Sequence, residues 1–102
     1  MMVTNMEEAG RPFARIPSHV LSKRVQGETV VIDLDSGAYF GLDAVGTAIW
    51  ERMLKHPSRD SLVDELTTEF ASDRSGIRRD VDEFLALLES KGLVVLEEVD
   101  DR

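Results

Sequence analysis

Few side chains in this sequence are placed to carry out catalysis or to bind a metal ion. The chain has no cysteine, which removes thiolate nucleophiles, disulfides and cysteine-ligated metals. His19 and His56 are far apart, and neither has a second ligand at helical or turn spacing, so both fit solvated surface positions. The segment beginning at Asp33 is similar to a calcium-binding loop, but Ala38 and Ala44 stand where that loop needs glycine and glutamate. The residues therefore predict no metal site.

Glycine, serine and carboxylate motifs lead to the same interpretation. Gly37, Gly41 and Gly46 do not form G-x-G-x-x-G, no Walker-type lysine follows them, and no serine stands in a G-x-S-x-G elbow. The carboxylates of the C-terminal half are spaced to pair with nearby arginines on solvated helix faces rather than to form a catalytic pair. We therefore predict a protein that is not an enzyme and that needs no cofactor.

The charge of the chain narrows the kind of partner it can have. The 102 residues carry a formal net charge of −8, and acidic residues outnumber basic ones from Asp43 onward. Such a surface repels phosphate backbones and anionic lipids and suits a basic or neutral peptide. No apolar run is long enough to cross a bilayer, and the acidic N-terminus lacks the apolar region of a secretory signal. Together with the absence of cysteine, this predicts a cytoplasmic protein with no nucleic-acid or membrane partner.

The N-terminal half of the chain predicts three short strands joined by tight turns. They span residues 19–25, 28–34 and 38–42, and their spacing predicts an antiparallel meander in which the first and third strands are edges. The first strand carries Lys23 and Arg24, whereas the third has no lysine, proline or charged residue. Sheet edges usually carry such residues because unpaired backbone groups invite another chain to pair. An edge without such residues is either covered by the protein itself or kept open for a partner, and a peptide could add to the third strand in the second case.

Three helices and a terminal strand are predicted after these strands. The first helix begins after the N-cap Asp43 and ends near Leu54, the second follows the cap Ser58, and the third spans residues 74–91. Residues 93–99 then form a strand. This order predicts an α+β fold, a winged helix-turn-helix with an N-terminal three-stranded antiparallel β-sheet.

The length of the chain fits a single small domain. We place this domain at residues 16–99. Residues 1–15 are predicted to be a flexible N-terminal tail, and residues 100–102 a frayed C-terminal end.

The third predicted helix carries a wide apolar stripe. Val81, Phe84 and Leu88 fit the core, whereas Leu85 and Leu87 fit the core and an exposed groove equally well. The stripe therefore fits two neighbouring faces of the third helix, and either face could lie beside the third strand.

A winged helix-turn-helix also suggests DNA binding, with the third helix reading the duplex. Arg78 and Arg79 near its start could contact phosphates, but Asp80, Asp82 and Glu83 lie on the same turns and would be repelled. A DNA-binding transcription regulator is therefore an alternative to the peptide-docking interpretation.

Three runs of the sequence resemble the PqqD-like family. They are GAYFGLDAVGTAIWERM, SRDSLVDELTTEF and DVDEFLALLESKGLV. More specifically, they resemble the RiPP recognition elements, the leader-peptide-binding proteins of lasso-peptide biosynthesis (a RiPP is a ribosomally synthesised and post-translationally modified peptide). The resemblance covers residues 19–97, and its most specific part is the junction of the third strand with the first helix.

The resemblance implies a winged-helix protein without catalysis, which binds the leader segment of a precursor peptide and presents it to a processing enzyme. In lasso systems that enzyme is a cysteine-protease-like leader peptidase, and an ATP-dependent cyclase acts afterwards. The leader is expected to add as a strand beside the third strand, over a groove formed with the third helix. Carried onto this sequence, the resemblance implies the peptide-binding residues Ala38, Tyr39, Phe40, Gly41, Leu42, Val81, Asp82, Leu85 and Leu88.

Two further possibilities stay open at this point. The resemblance also fits a peptide chaperone of quinone-cofactor (PQQ) biosynthesis, in which the client peptide feeds a radical enzyme. An exposed strand edge, in addition, allows the isolated protein to form a homodimer through that edge.

Overall fold

The structure is a computed structural model and describes residues 12–97. The five strands of this part are β1 (Ala14–Arg15), β2 (Val20–Val25), β3 (Glu28–Asp33), β4 (Tyr39–Leu42) and β5 (Val95–Leu96). The three helices, which lie between β4 and β5 in the chain, are α1 (Ala44–Met53), α2 (Arg59–Phe70) and α3 (Arg74–Ser90). The mixed α+β composition predicted from the sequence is confirmed. Within residues 12–97, none of the helices combines the length and apolar character needed to span a membrane.

The strands β2, β3 and β4 form an antiparallel sheet in that order. The β2–β3 hairpin turns at Gln26 and Gly27, whose φ angles of 52° and 86° both lie in the left-handed region. A two-residue turn of this kind matches the right-handed twist of the strands that it joins. β4 pairs with β3 on one side, and its other side has no strand beside it within the described chain.

One face of this sheet packs against the helices. Val31 and Leu42 on that face are 0% and 8% exposed, whereas Leu21 and Tyr39 on the opposite face are 51% and 74% exposed. Phe40 lies directly opposite Val31 in the ladder, and residues opposite one another project to the same face. The side chain of Phe40 therefore lies on the helix-facing side of β4, and that of Tyr39 on the outer side.

Side-chain caps fix where each helix begins. In all three, the N-cap side chain accepts a hydrogen bond from the backbone N–H three residues later, at 2.9 to 3.1 Å: Asp43–Gly46, Ser58–Ser61 and Asp73–Gly76. Each cap satisfies a donor that has no partner within its helix. The sequence predicts the caps Asp43 and Ser58, and both are confirmed. Because Asp43 directly follows Leu42, β4 passes into α1 through a single residue, and the two elements are held at a fixed angle.

The strands β1 and β5 form a second, two-stranded antiparallel sheet, with Ala14 opposite Leu96. Phe13 is only 1% exposed, and its N–H donates to the His56 carbonyl at 3.0 Å. Residues 13–15, which the sequence analysis assigns to the N-terminal tail, thus pair and pack with the described part of the chain. Of the predicted terminal strand, residues 93–99, β5 covers Val95–Leu96, and residues 98–99 lie outside the described residues. The rest of the predicted N-terminal tail, residues 1–11, and the predicted frayed end, residues 100–102, lie outside the described residues.

The helices and both sheets share one hydrophobic core. Its largest fully buried side chains include Phe13, Met53, Leu62, Leu66, Leu85 and Leu93. Ile49 and Trp50 of α1 are each 3% exposed and anchor this helix in the core. One face of α1 therefore packs into the core, and the N-terminal turn of α1 lies beside β4.

Candidate functional site

The direction of the free backbone groups on β4 follows from the hydrogen bonds of its neighbour, β3. Asp33 N–H donates to the Ala38 carbonyl at 2.9 Å, across the β3–β4 hairpin. Leu34 N–H donates instead to the His19 carbonyl at 2.8 Å, on the β2 side. In an antiparallel ladder, successive residues bond alternately to the two neighbouring strands. Odd-numbered residues of β3 therefore bond toward β4.

This alternation assigns the backbone groups of β4. Phe40 and Leu42 lie opposite odd-numbered residues of β3, so their N–H and C=O groups point into the ladder. The N–H and C=O groups of Tyr39 and Gly41 point the other way, out of the sheet. Since no described strand lies on that side, these two residues offer two donors and two acceptors to an incoming strand. Gly41 has no side chain to obstruct such a strand, and a Cβ placed there would meet no atom within 4 Å.

An open groove with a volume of about 490 Å³ lies between β4 and α3. One side is lined by the end of β4 and the start of α1: Gly41, Leu42, Asp43, Val45, Gly46 and Ile49. The other side is lined by one face of α3: Asp80, Glu83, Phe84 and Leu87. Leu87 and Val45 are 51% and 46% exposed, so apolar surface at the groove is accessible. These lining residues include no histidine, serine or lysine.

Two close contacts set the width of the groove. A Cβ on Gly46 would lie 3.3 Å from the Phe84 ring, so the absence of a side chain at this position allows α1 and α3 to approach. Lys91, which directly follows α3, places its Nζ atom 5.2 Å from the centre of the Phe40 ring, within the range of a cation–π contact. One contact holds α3 against the start of α1, and the other holds the end of α3 beside β4.

Ion pairs are concentrated on the helix faces away from the groove. Six helix carboxylates lie within 3.4 Å of an arginine or histidine nitrogen: Glu51, Asp60, Asp64, Glu65, Glu69 and Asp82. The groove carboxylates Asp80 and Glu83 have no such partner among residues 12–97. Glu89 on α3 also has none, but it does not line the groove. Exposed pairs of this kind contribute little to stability. Whether a carboxylate has a cationic partner therefore matters mainly for the electrostatic potential of the helix face that carries it.

Shifted carboxyl pKa values also lie outside the groove. The hydrogen bond from His56 lowers the pKa of Glu65, and hydrogen bonds from the Ser75 hydroxyl and the Gly76 N–H lower the pKa of Asp73. At Asp33, partial desolvation raises the pKa, but hydrogen bonds from the two residues that follow Leu34 outweigh it, so the pKa is lowered. These shifts arise from a helix cap, a turn and a contact between the α1–α2 loop and α2, and they indicate structural carboxylates.

The β3–β4 hairpin brings one histidine near two carboxylates. The ligand atoms of His19, Asp33 and Asp35 lie within 4.8 Å of one another. The two oxygens of Asp33 already accept hydrogen bonds from the Asp35 N–H at 3.0 Å and the Ser36 hydroxyl at 3.1 Å. The carboxylate therefore organises the turn, as the sequence predicts for this segment, and shapes the start of β4.

The predicted strand residues of the site lie at the open sheet edge, whereas the predicted helix residues do not line the groove. Tyr39, Phe40, Gly41 and Leu42 form β4, and Ala38 directly precedes it, so all five predicted strand residues lie at the open edge. Of these, the side chain of Leu42 is buried and that of Phe40 is half-buried.

The predicted helix residues do not line the groove. Val81, Leu85 and Leu88 are 0%, 0% and 2% exposed and belong to the core. Asp82 accepts hydrogen bonds from Arg59 at 2.8 Å and from Arg78 at 3.4 Å, which turns it toward α2. The groove face consists of residues one position earlier than the three predicted leucine and valine positions. One residue rotates a helix position by about 100°, so a shift of one position exchanges core for groove.

Sequence reasoning therefore missed three residues of α3 as groove residues, Asp80, Glu83 and Phe84, and left Leu87 open between the core and the groove. The signal for Leu87 was present, since it fits outside the core stripe of α3. Val45 was also missed, and its exposure of 46% at the start of an otherwise buried helix could not be read from α1 alone. The position of the groove depends on how α1 and α3 meet, which is a long-range property.

These features define a small α+β protein with an open sheet edge beside a groove. Residues 28–94 match the family described as coenzyme PQQ synthesis protein D (PqqD). Because this match spans more than half of the chain, the chain belongs to the PqqD family, as its sequence resemblance predicts.

Two solved structures are similar to this chain. One is TbiB1 in complex with the TbiA(beta) leader peptide, which is 37% identical, with a TM-score of 0.73 over 85% of this chain and 99% of that chain. The other is a lasso peptide synthetase B1 complexed with the leader peptide, which is 23% identical, with a TM-score of 0.75 over 81% of this chain and 98% of that chain. At that identity, the second similarity shows the fold alone. A search of curated proteins finds no match.

Proposed function

We propose that this chain binds the leader segment of a ribosomally synthesised precursor peptide by strand addition to β4, as a RiPP recognition element of lasso-peptide biosynthesis. The observation that carries the proposal is the position of the outward backbone groups of Tyr39 and Gly41 directly beside an accessible apolar groove. Main-chain hydrogen bonds to an open edge give affinity, and pockets for alternate side chains give specificity. The similarity to TbiB1 in its leader-peptide complex supports this choice of ligand.

The bound leader extends the sheet by one strand. Its backbone pairs with Tyr39 and Gly41, and every second side chain projects to the face that Phe40 shares with the groove. Those side chains rest on Phe84 and Leu87 of α3. The four residues of β4 span about 13 Å, so a short stretch of the leader makes the main-chain contacts.

The protein acts without catalysis of its own and hands the leader to a separate enzyme. The proposed partner is a cysteine-protease-like leader peptidase, or another modifying enzyme of the same pathway, in the cytoplasm. The described residues form one peptide-binding domain, and we assign the helices α1 to α3 with the β1–β5 pair to a winged-helix arrangement that carries the sheet on its N-terminal side.

A peptide chaperone of quinone-cofactor biosynthesis is the second candidate, because the matching family is described by coenzyme PQQ synthesis. Both candidates use the same edge and differ in the client peptide and in the enzyme that receives it. The genes beside this chain separate them: a short precursor with a peptidase and a cyclase indicates the lasso pathway, and a radical enzyme indicates the quinone pathway. DNA binding is less well supported, since Arg78 is paired with Asp60 and Asp82.

The proposal is tested by fluorescence polarisation with a fluorescein-labelled leader from the precursor encoded beside this chain. We expect saturable binding that weakens about tenfold or more in Leu87→Asp, since a carboxylate replaces apolar contact area. Leu21→Asp is the matched control, because Leu21 is equally exposed, at 51%, on the outer face of β2. An absence of saturable binding, or equal losses in the two variants, would contradict the proposal.

A further inference from the structure

The groove beside β4 is acidic where β4 passes into α1, and a lysine, Lys91, lies beyond its lining near Phe40 at the other end of β4. We infer that this polarity selects leaders that, bound antiparallel to β4, carry a basic residue on the N-terminal side of the apolar residue that occupies the groove. The inference rests on the proposed function and adds the chemical class of the ligand and the order of its residues.

The acidic end lies where β4 passes into α1. Asp43, Asp80 and Glu83 line the groove there, and its described lining contains no lysine or arginine. Asp43 already caps α1 through the Gly46 N–H at 2.9 Å. Asp80 and Glu83 are exposed and have no cationic partner among residues 12–97, although most carboxylates of α2 and α3 have one. A basic ligand side chain is the partner that these two groups lack.

The basic residue lies outside the groove lining, at the opposite end of α3. Lys91 holds its Nζ atom 5.2 Å from the ring centre of Phe40, near the beginning of β4. The eleven-residue step from Asp80 to Lys91 corresponds to a helical rise of about 16 Å, and the strand from Phe40 to Asp43 runs in the opposite sense beside it. Charge along β4 thus changes from positive near Phe40, beside the groove, to negative near Asp43, within the groove.

The direction of the bound strand converts this polarity into an order of residues in the leader. All pairs in the β2–β3–β4 sheet are antiparallel, and antiparallel pairing is slightly more stable per residue than parallel pairing. A strand antiparallel to β4 has its N-terminal part near Asp43 and its C-terminal part near Phe40. A lysine or arginine must then precede the apolar residue that contacts Phe84 and Leu87, with both on the groove-facing side, an even number of positions apart.

The ligand chemistry follows from these steps. The groove fits an extended segment whose alternate side chains face the groove. From the N-terminus, these side chains are first a basic one, then an apolar one, and then a neutral or acidic one. A segment with acidic residues before the apolar one places like charge beside Asp80 and Glu83. The repulsion weakens the binding of such segments, so the groove discriminates against them.

The experiment is a display selection with random peptides long enough to span β4, performed on the full chain. A parallel selection uses the double variant Asp80→Lys, Glu83→Lys, and the control is Glu89→Lys, a charge change on α3 outside the groove. On the unmodified protein and on the control, we expect enrichment of peptides with a basic residue before the apolar one. On the double variant, we expect an acidic residue at that place.

The outcomes separate this inference from the proposed function. Enriched apolar peptides without a charge order, or with the reverse order on the unmodified protein, would overturn the inference and leave peptide binding intact. An absence of any enriched peptide class would count against both.

The same variants give a quantitative check with one enriched peptide as the probe. We expect the double variant to bind about tenfold more weakly at low salt and the difference to shrink at high salt. Equal affinities of the double variant and Glu89→Lys at low salt would contradict the inference.

Discussion

Replacing Gly41 with proline removes one outward N–H from β4 and leaves the ladder to β3 intact. The alternation of hydrogen bonds places the Gly41 N–H on the open side, so a proline there is at a position that edge strands tolerate. Phe40→Pro is the structural contrast, because the Phe40 N–H points into the ladder. We expect Gly41→Pro to remain folded and to lose leader binding, and we expect Phe40→Pro to lose stability.

The size of the loss in Gly41→Pro follows from the groups involved. The leader carbonyl that accepts from Gly41 would be left without a partner, which costs about 1–3 kcal/mol, and the proline ring would also stand between the two strands. At about 1.4 kcal/mol for each factor of ten, the predicted loss of affinity is about five- to 150-fold. Gly41→Ala keeps the N–H, and its Cβ meets no atom within 4 Å, so its affinity is expected to stay close to that of the unmodified protein.

The assay is a polarisation titration of Gly41→Pro and Gly41→Ala against the same labelled leader, with thermal unfolding to verify the fold. A complementary scan methylates the leader amides one at a time in the unmodified protein, so that no variant has to fold. We expect losses at alternate amides only. Equal binding by the proline and alanine variants, or uniform losses along the leader, would refute strand addition at this edge.

Three further predictions concern stability. Gly46→Val places a side chain 3.3 Å from the Phe84 ring and is expected to lower the free energy of unfolding by about 1–3 kcal/mol in urea denaturation; an unchanged value would show that α1 and α3 do not meet there. Leu85→Asp puts a carboxylate at a position with 0% exposure and should prevent stable folding, as circular dichroism would show. A stable, folded variant would contradict the core position of Leu85 and would indicate that Leu85 lines the groove. The hydrogen bond from His56 lowers the pKa of Glu65 below its ordinary value of 4.5, so this stabilisation is present above that value and is lost as the pH falls through the lowered pKa. Glu65→Gln should therefore show a smaller fall of Tm on acidification below about pH 4.5, and parallel Tm curves would contradict this.

The elements that local signals specify could be predicted from the sequence. The three strands of the meander and the caps Asp43 and Ser58 depend on turn residues, alternation and capping side chains within a few positions. The open edge was predictable for the same reason, since the lack of charge in residues 38–42 is a local property.

The parts that depend on long-range contacts were not predictable. β1 has two residues and exists because it pairs with β5 at the other end of the chain. The groove face of α3 was predicted one residue too late, because its wide apolar stripe fits two neighbouring faces. The choice between them is made by the close approach of Gly46 to Phe84, which places Leu85 in the core and leaves Leu87 exposed.

Amide hydrogen exchange of β4, followed by NMR with and without the leader, tests strand addition most directly. In the free protein, the amides of Phe40 and Leu42 should exchange slowly and those of Tyr39 and Gly41 quickly. Saturating leader should slow exchange at Tyr39 and Gly41 and leave the other two almost unchanged. Binding that leaves the exchange rates of Tyr39 and Gly41 as they are in the free protein would contradict the account.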